Sequence, residues 1–592
     1  MKPALFELIS YQLLCACVVI ILSCDKGNFL LAQESFTQPR DWVIIRHSTD
    51  IECLNPIINI SPKNQHINQF VFQSLNGVNP KTLEVIPFLA SLPIRSEDGK
   101  SQIFEIRNDA VWGDGTPITA EDVEFTIKVI KNPKVKSSRL RYFYRGVLDI
   151  KADKNNNKKF EVKYDQPNQS IAMLKILPKH LFDPEGLMDK FSISELNRDT
   201  VELAENPKIN KFAEQFNSEE FSKKVLFNKA CSSGAYYFAS CNPSEELVLQ
   251  RKEVWWGDNY YSEPGELFVA NQKRIVYKVV KDLKLTINML TLEYLDVVYD
   301  LPAKEFAEMA KSNSSYFNYK LCTSNTLEYL FIGINTKRNN LLSNSEFRKA
   351  LCLAVDVDYF LSKVAREYGR RLTCPGIPEK KIGYNDKIPL IEPNPEQAIS
   401  IISKLGYNQQ DEDGFRYKME GSQKRYIELE LSIVEGNHDY RKIAHYLSEA
   451  FKQIGVKLNV AERSIPEQTE KLNKRDFDLY LGKVTEGIGI TNPYTSWHTK
   501  SPANYTGFGN ATSDDLIENI LKEKDAARKK NLYDQLQEMI MAESPLILLW
   551  SPQSKIAINN RFQNVNTYPV SAYFAGFNPA AFYTPTELVR YK

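Results

Sequence analysis

The chain has 592 residues, 43% of them hydrophobic and 25% charged. This is the balance of ordinary globular protein and excludes disorder, a collagen-like rod and a polytopic membrane protein. Lys and Arg number 75 against 74 for Asp and Glu, a formal charge of +1, so the basic footprint that a phosphate backbone demands is missing and nucleic acid is not an expected partner.

In chain order, the first distinctive segment is the apolar run from Leu13 to Leu22. It is too short for a bilayer span of about 20 residues. It has the length of a signal-peptide core, with Lys2 as the positive leader. Ile21-Leu22-Ser23-Cys24 resembles a bacterial lipobox. That implies a lipoprotein signal peptide over 1–24, lipidation of Cys24, and a tether over 25–40. Acyl chains contribute about 0.8 kcal/mol per buried CH2, so two or three hold a protein on a membrane almost permanently.

From Asp41, DWVIIRHS reads as a strand, and IFEIRNDAVWGDG as a strand closed by a glycine turn. Thr119 to Asp122 forms a capping-box start for a helix over Val123 to Ile130. Asp153 to Lys159 lacks the central Gly and terminal Glu of a calcium loop and reads as a solvated hairpin turn. Further on, Glu346 to Val355 predicts a helix, and Asp356 caps the next, Tyr359 to Ala365. Asn394-Pro395 starts a helix that Gly406 closes. Tyr426 to Val434 alternates as a half-buried strand, an amphipathic helix follows over about Asp439 to Gly455, and Val456 to Val460 is again a strand. Strand, helix, strand in that spacing is a βαβ unit and an α/β lobe, whereas the N-terminal third reads as α+β. No internal repeat points to a solenoid.

The chemistry-bearing motifs of nucleotide sites, zinc proteases and serine hydrolases are missing. A hydrolase built on a cysteine with His498 or His180 lacks any nucleophile motif. No cofactor, metal site or catalysis is therefore expected. Of nine cysteines, Cys231 and Cys241 are close enough in sequence to staple a hairpin, and Cys352 reads as a buried thiol.

Several segments then occur in a recognisable order. Phe72-Gln73-Ser74-Leu75-Asn76-Gly77 precedes Glu84 to Ala90. Phe104 to Val123 (FEIRNDAVWGDGTPITAEDV) is the strongest match. Ser232-Ser233-Gly234-Ala235-Tyr236, Arg251 to Gly257, and Phe347 to Asp356 follow. The set resembles the bacterial extracellular solute-binding proteins of the oligopeptide, dipeptide and nickel class, the receptor components of ABC importers. The resemblance implies an α/β, two-lobed periplasmic-binding-protein-like fold of class II type with an extra α+β subdomain in the first lobe. The lobes expected from it are 41–302, with the inserted subdomain at about 78–190, then 303–548, with 549–592 returning to the first. It also implies a lipid-anchored, extracytoplasmic monomer that captures a peptide in its cleft and passes it to a permease. Oligosaccharide or nickel-complex binding, or a non-transporting peptide sensor or chaperone, are the competing readings.

Peptide receptors of this class carry an Asp shortly before a Pro, where it pairs with the peptide ammonium. A register on Pro493 puts Gly489 there, and Glu486 is the candidate substitute. Tyr494 and Trp497 offer aromatic faces to a ligand. With Asn492 in the same stretch, and Asn335 after the strand Tyr329 to Ile334, these are the expected ligand-binding residues.

Overall fold

The computed structural model describes residues 42–585 and Leu588, except 168, 199, 264, 312–317, 488–491 and 570–574. The expected signal peptide 1–24, tether 25–40 and Cys24, as well as Gly489, lie outside the described residues.

Two sheets organise the fold. The larger has eight strands. In spatial order seven of them are Tyr319–Asn325, Trp550–Asn559, Val297–Val298, Trp42–His47, Arg274–Val279, Glu246–Arg251 and Tyr236–Asn242, and Gly369–Arg371 pairs beside Trp550–Asn559. Trp42–His47 runs parallel to Arg274–Val279, which only a long crossover connection permits. That crossover carries a separate four-stranded sheet, ordered Ile94–Arg95, Ser101–Glu105, Lys159–Tyr164, Val147–Ala152. One core that includes Phe104, Trp112, Phe125 and Phe160 unites this inserted sheet with the larger one.

The second sheet has five strands, ordered Lys457–Arg463, Glu428–Val434, Leu479–Thr485, Glu328–Ile334, Leu546–Leu548. The predicted βαβ unit is present. Glu428–Val434 pairs in parallel with Lys457–Arg463, and His438–Gln453 connects them with Ile443, Leu447 and Phe451 buried at helical spacing.

The chain crosses between the sheets at Thr326-Leu327 and at Leu549, where the two passages touch, and Gly369–Arg371 reaches back from between strands of the second sheet to pair with Trp550 to Pro552. Thr326 Oγ1 donates to the Pro552 carbonyl at 2.7 Å, and the Thr326 amide donates to the same oxygen at 3.3 Å. Two adjacent crossings between two otherwise separate cores make the geometry of a two-lobed α/β protein with a double connection.

Local chemistry explains the elements. The helix Ala120–Lys131 starts where the Thr119 amide donates to Asp122 Oδ2 at 3.0 Å. The other Asp122 oxygen accepts the Lys179 amide at 3.0 Å, so one buried carboxylate caps a helix and pins a distant loop. Gly115, at φ +86°, makes the turn before it, where a side chain would be strained. Asp153 Oδ1 accepts the amides of Asn155 and Asn156, giving the expected hairpin turn between antiparallel strands. The helix Pro395–Lys404 is capped by Asn394, with Gly406 at φ +94° behind it.

Two expectations need correction. The six described cysteines are free. Cys231 is buried in the core from a short 3-10 turn, while Cys241 sits opposite Leu247 on a strand, so no staple joins them. Burial pushes the Cys352 thiol up to about 12, as a buried thiol requires. The second correction concerns the passage between lobes. Tyr319–Asn325 pairs along Trp550–Asn559, and Phe306 and Met309 pack with Val298 and Ala557, so Ala303–Lys311 and Tyr319–Asn325 associate with the larger sheet.

Candidate functional site

The strand Glu328–Ile334 has two buried faces. Leu330, Ile332 and Ile334 point into the core of the five-stranded sheet. Tyr329 and Phe331 point the other way, into a cluster with Leu327, Leu372, Cys374, Ile377, Tyr384, Tyr480 and Leu548. Leu83, from the turn between Asn76–Val78 and Val85–Pro87, enters that second cluster from the first lobe. It does so at φ +61°, a left-handed conformation that costs a non-glycine residue about 1–2 kcal/mol. Burial of a leucine side chain contributes about 1.5–3 kcal/mol, so the lobe contact offsets the strain. Lys524 Nζ donates to the Glu97 carbonyl at 2.6 Å as a second contact between the lobes.

At the end of the neighbouring strand Leu479–Thr485 lies Glu486. Its carboxylate pairs with Lys380 at 2.8 Å, with the two side chains 5% and 8% exposed. Burial, with the Glu486 charge as the next cause, pushes the hydroxyls of Tyr329 and Tyr533 upward. Glu486 is therefore neither a solvated loop carboxylate nor an open partner for a ligand ammonium. Its cation is already in place.

The remaining expected residues fall on one short stretch and one strand end. Asn492 is exposed, and its Oδ1 accepts the Tyr494 amide at 2.9 Å. Tyr494 is half-buried and stacks on His498 with centroids 4.2 Å apart. Trp497 is half-buried and meets Phe508 edge-on at 5.6 Å, and it packs against two separate clusters. Asn335 is corrected. It is 1% exposed, and its Nδ2 donates to the carbonyls of Arg475 and Phe477, both at 2.9 Å. That amide closes a buried turn instead of facing a ligand.

On the first-lobe side lies a cavity of about 80 Å³. Its walls are largely apolar, with Phe70, Phe72, Phe88 and Trp255, and a few polar groups: Gln73, Lys175, Glu266 and Tyr568. The Gly234 to Tyr236 segment forms one wall because its backbone pairs with the neighbouring chain. The Gly234 and Tyr236 amides donate to Val71 and Phe70 carbonyls at 2.9 and 3.1 Å. A Cβ on Gly234 would stand 2.3 Å from the Phe70 oxygen. Gly234→Ala is thus expected to cost about 1–3 kcal/mol, in line with overpacking, read as a lower urea midpoint; an unchanged midpoint would show that this backbone pairing yields freely.

The polar wall residues were not among the expected ones. Gln73 and Gly234 did lie in the recognised segments, and Lys175 is a lone cation in the apolar run Ile171 to Leu177, a signal legible without coordinates. Glu266 and Tyr568 left no sequence trace, since they meet across about 300 residues. Tyr568 OH donates to Glu266, and Asn566 Nδ2 donates to the other Glu266 oxygen at 2.9 Å. Among the described residues, no group of three or more His, Cys, Asp or Glu is placed to hold a metal ion, and no helix is long and apolar enough to cross a membrane.

Two lobes joined by paired crossings, with a lobe junction beside a mostly apolar cavity, define a binding protein of the bilobal type. The family model "Bacterial extracellular solute-binding proteins, family 5 Middle" matches residues 84–506, and the chain belongs to that family. It is a binding protein and not an enzyme. The oligopeptide-binding protein AppA of Bacillus subtilis is 21% identical over 584 residues, covering 96% of this chain and 97% of that one. Its structure in complex with a nonapeptide superposes with a TM-score of 0.65 at 20% identity, covering 93% of this chain and 100% of the other. NikA of Brucella suis, in complex with Fe(III)-EDTA, gives a TM-score of 0.71 at 15% identity, covering 92% and 100%.

Proposed function

We propose that this protein captures a peptide between its lobes and delivers it to an ABC permease. The observation that carries the reading is the lobe junction at Leu83, set beside a first-lobe cavity whose walls are apolar with a few placed polar groups, the usual makeup of a small-ligand site. AppA of Bacillus subtilis, an oligopeptide-binding protein whose structure holds a nonapeptide, supports the same class of ligand. Because Glu486 is neutralised by Lys380, the ligand ammonium is not read by that carboxylate. Backbone pairing of an extended ligand, which is indifferent to side chains, supplies the affinity instead. Asn492, Tyr494 and Trp497 form the rim of the second lobe in this reading, with the aromatic pair offered to ligand side chains.

The division into lobes that follows most of the strands is 42–325 with 550–585 for the first and 326–549 for the second, with Gly369–Arg371 of the second pairing across the junction to Trp550–Asn559 of the first. Closure about the two crossings encloses the ligand, and the closed shape is what a permease reads. Cys24 anchors the mature chain to the membrane through lipid, and the protein works as an extracytoplasmic monomer.

The test is native mass spectrometry of the purified full-length protein, followed by denaturing release of what it holds. A ladder of peptides of mixed sequence is the expected result; a released sugar or metal complex would overturn the peptide reading while leaving the family intact. In the same preparation, Cys24→Ser is expected to shift the protein from the detergent phase to the aqueous phase, and an unchanged partition would refute the lipid anchor.

A further inference from the structure

We propose that the first-lobe cavity is an anion subsite in which Lys175 receives a carboxylate of the bound ligand. The inference rests on the peptide reading above and narrows it to ligands that carry a carboxylate into this lobe.

Lys175 is 8% exposed. Its Nζ donates to the Gln65 carbonyl at 3.0 Å, a neutral acceptor, and no other bond to it is present among the described residues. An ammonium has three donors, and no carboxylate among the described residues pairs with this one. Burial alone pulls its pKa down to about 7, which is what an ammonium lacking a counter-charge does.

The acid in the same wall is occupied elsewhere. Both Glu266 oxygens are taken, one by Tyr568 and the other by Asn566. The nearby imidazole of His66 adds no charge, since burial holds its pKa down to about 3. The Tyr236 hydroxyl donates to the Gln272 carbonyl at 2.6 Å.

Gln73 lines the same cavity as Lys175. It is 1% exposed, and neither atom of its side-chain amide has a partner among the described residues. Buried amides are seldom left so, because each unsatisfied group costs about 1–3 kcal/mol. A ligand carboxylate would take one N–H from Gln73 and the charge of Lys175 together.

About 80 Å³ leaves room for a carboxylate and the water around it. The surrounding aromatic rings lower the local dielectric, which strengthens the ion contact.

Four synthetic peptide libraries of two to nine residues test this on the purified full-length protein: free acids with and without Asp and Glu, and C-terminal amides with and without Asp and Glu. Retention is read by native mass spectrometry. The library with no carboxylate is expected to be held at least tenfold more weakly than the best of the others. Whichever single-source library is retained tells whether the carboxylate is terminal or from a side chain. Lys175→Met is expected to erase the difference, and Gln73→Leu to reduce it severalfold.

Equal retention of the carboxylate-free library by the native protein overturns the subsite, and so does discrimination that survives in Lys175→Met. If no library is held but a non-peptide solute is released, the peptide reading fails. An anionic solute lost tenfold in Lys175→Met then still upholds the subsite, whereas a neutral or cationic one overturns it. A protein that holds nothing overturns both.

Discussion

Glu486→Ala is expected to lower the free energy of unfolding by about 3–5 kcal/mol, the usual cost of stranding one partner of a buried ion pair. Lys380→Met is expected to do the same from the other side. Both side chains are nearly sealed from water, and they meet at 2.8 Å, beneath the Tyr329 face that receives Leu83. The double change Lys380→Met with Glu486→Leu removes both charges, and most of the loss is expected to return, since apolar replacement of a buried pair is often neutral or better. Urea titration of the two single variants and the double variant measures the coupling directly. Single losses below about 1 kcal/mol, the range of exposed pairs, would mean that water reaches the pair, and would reopen Glu486 as a ligand contact.

The second large effect is a loss of stability in acid. His66 is 3% exposed and lies among the rings of Phe70, Tyr277 and Phe577, with centroids 5.5, 5.9 and 5.6 Å away. Burial first, then the charges of Lys175 and His47, lowers its pKa from 6.5 to about 3. The unfolded chain takes up this proton near pH 6.5 while the folded one refuses it until about pH 3. Stability from this group is therefore complete above pH 6.5 and declines as pH falls, by about 1.4 kcal/mol per unit. Between pH 6.5 and 4.5 the native protein is expected to lose about 2 kcal/mol more than His66→Gln does. The check is a pair of denaturant series over that range; parallel curves would show that His66 is protonated in the fold.

Lys175 works in the same direction on the other side of neutrality. Its lowered pKa means that the folded protein gains stability from this group as pH rises from about 7 toward 10.5, because the unfolded chain holds the proton longer. The same buried charge that suits an anionic ligand therefore weighs on the fold while no anion is present.

Much of the scaffold is legible from local chemistry. The capping at Thr119 and Asp122, the Asn394-Pro395 start, the Gly115 turn and the βαβ unit at 428–463 each depend on residues within a few positions of one another. Those signals survive in one dimension because helix and strand periodicity, capping and turn conformations are set by near neighbours. The apolar run containing Lys175 also announces itself by position.

The site was far less legible, and each miss has a physical cause. Glu486 resembles a loop carboxylate until Lys380 arrives from more than a hundred residues away. Asn335 looks like a cleft residue until the carbonyls of Arg475 and Phe477 claim its amide. Strand Tyr319–Asn325 would serve either lobe by its pattern, and only pairing with Trp550–Asn559 assigns it to the first.

The sequence by itself determined the family, the α/β character and most element starts, because these are written in short-range spacing. Tertiary structure alone decided which charges are neutralised, where the chain changes lobes and which polar groups surround a cavity. Desolvation and pairing depend on what packs against a side chain in space, and the partners that settle them are distant in the chain.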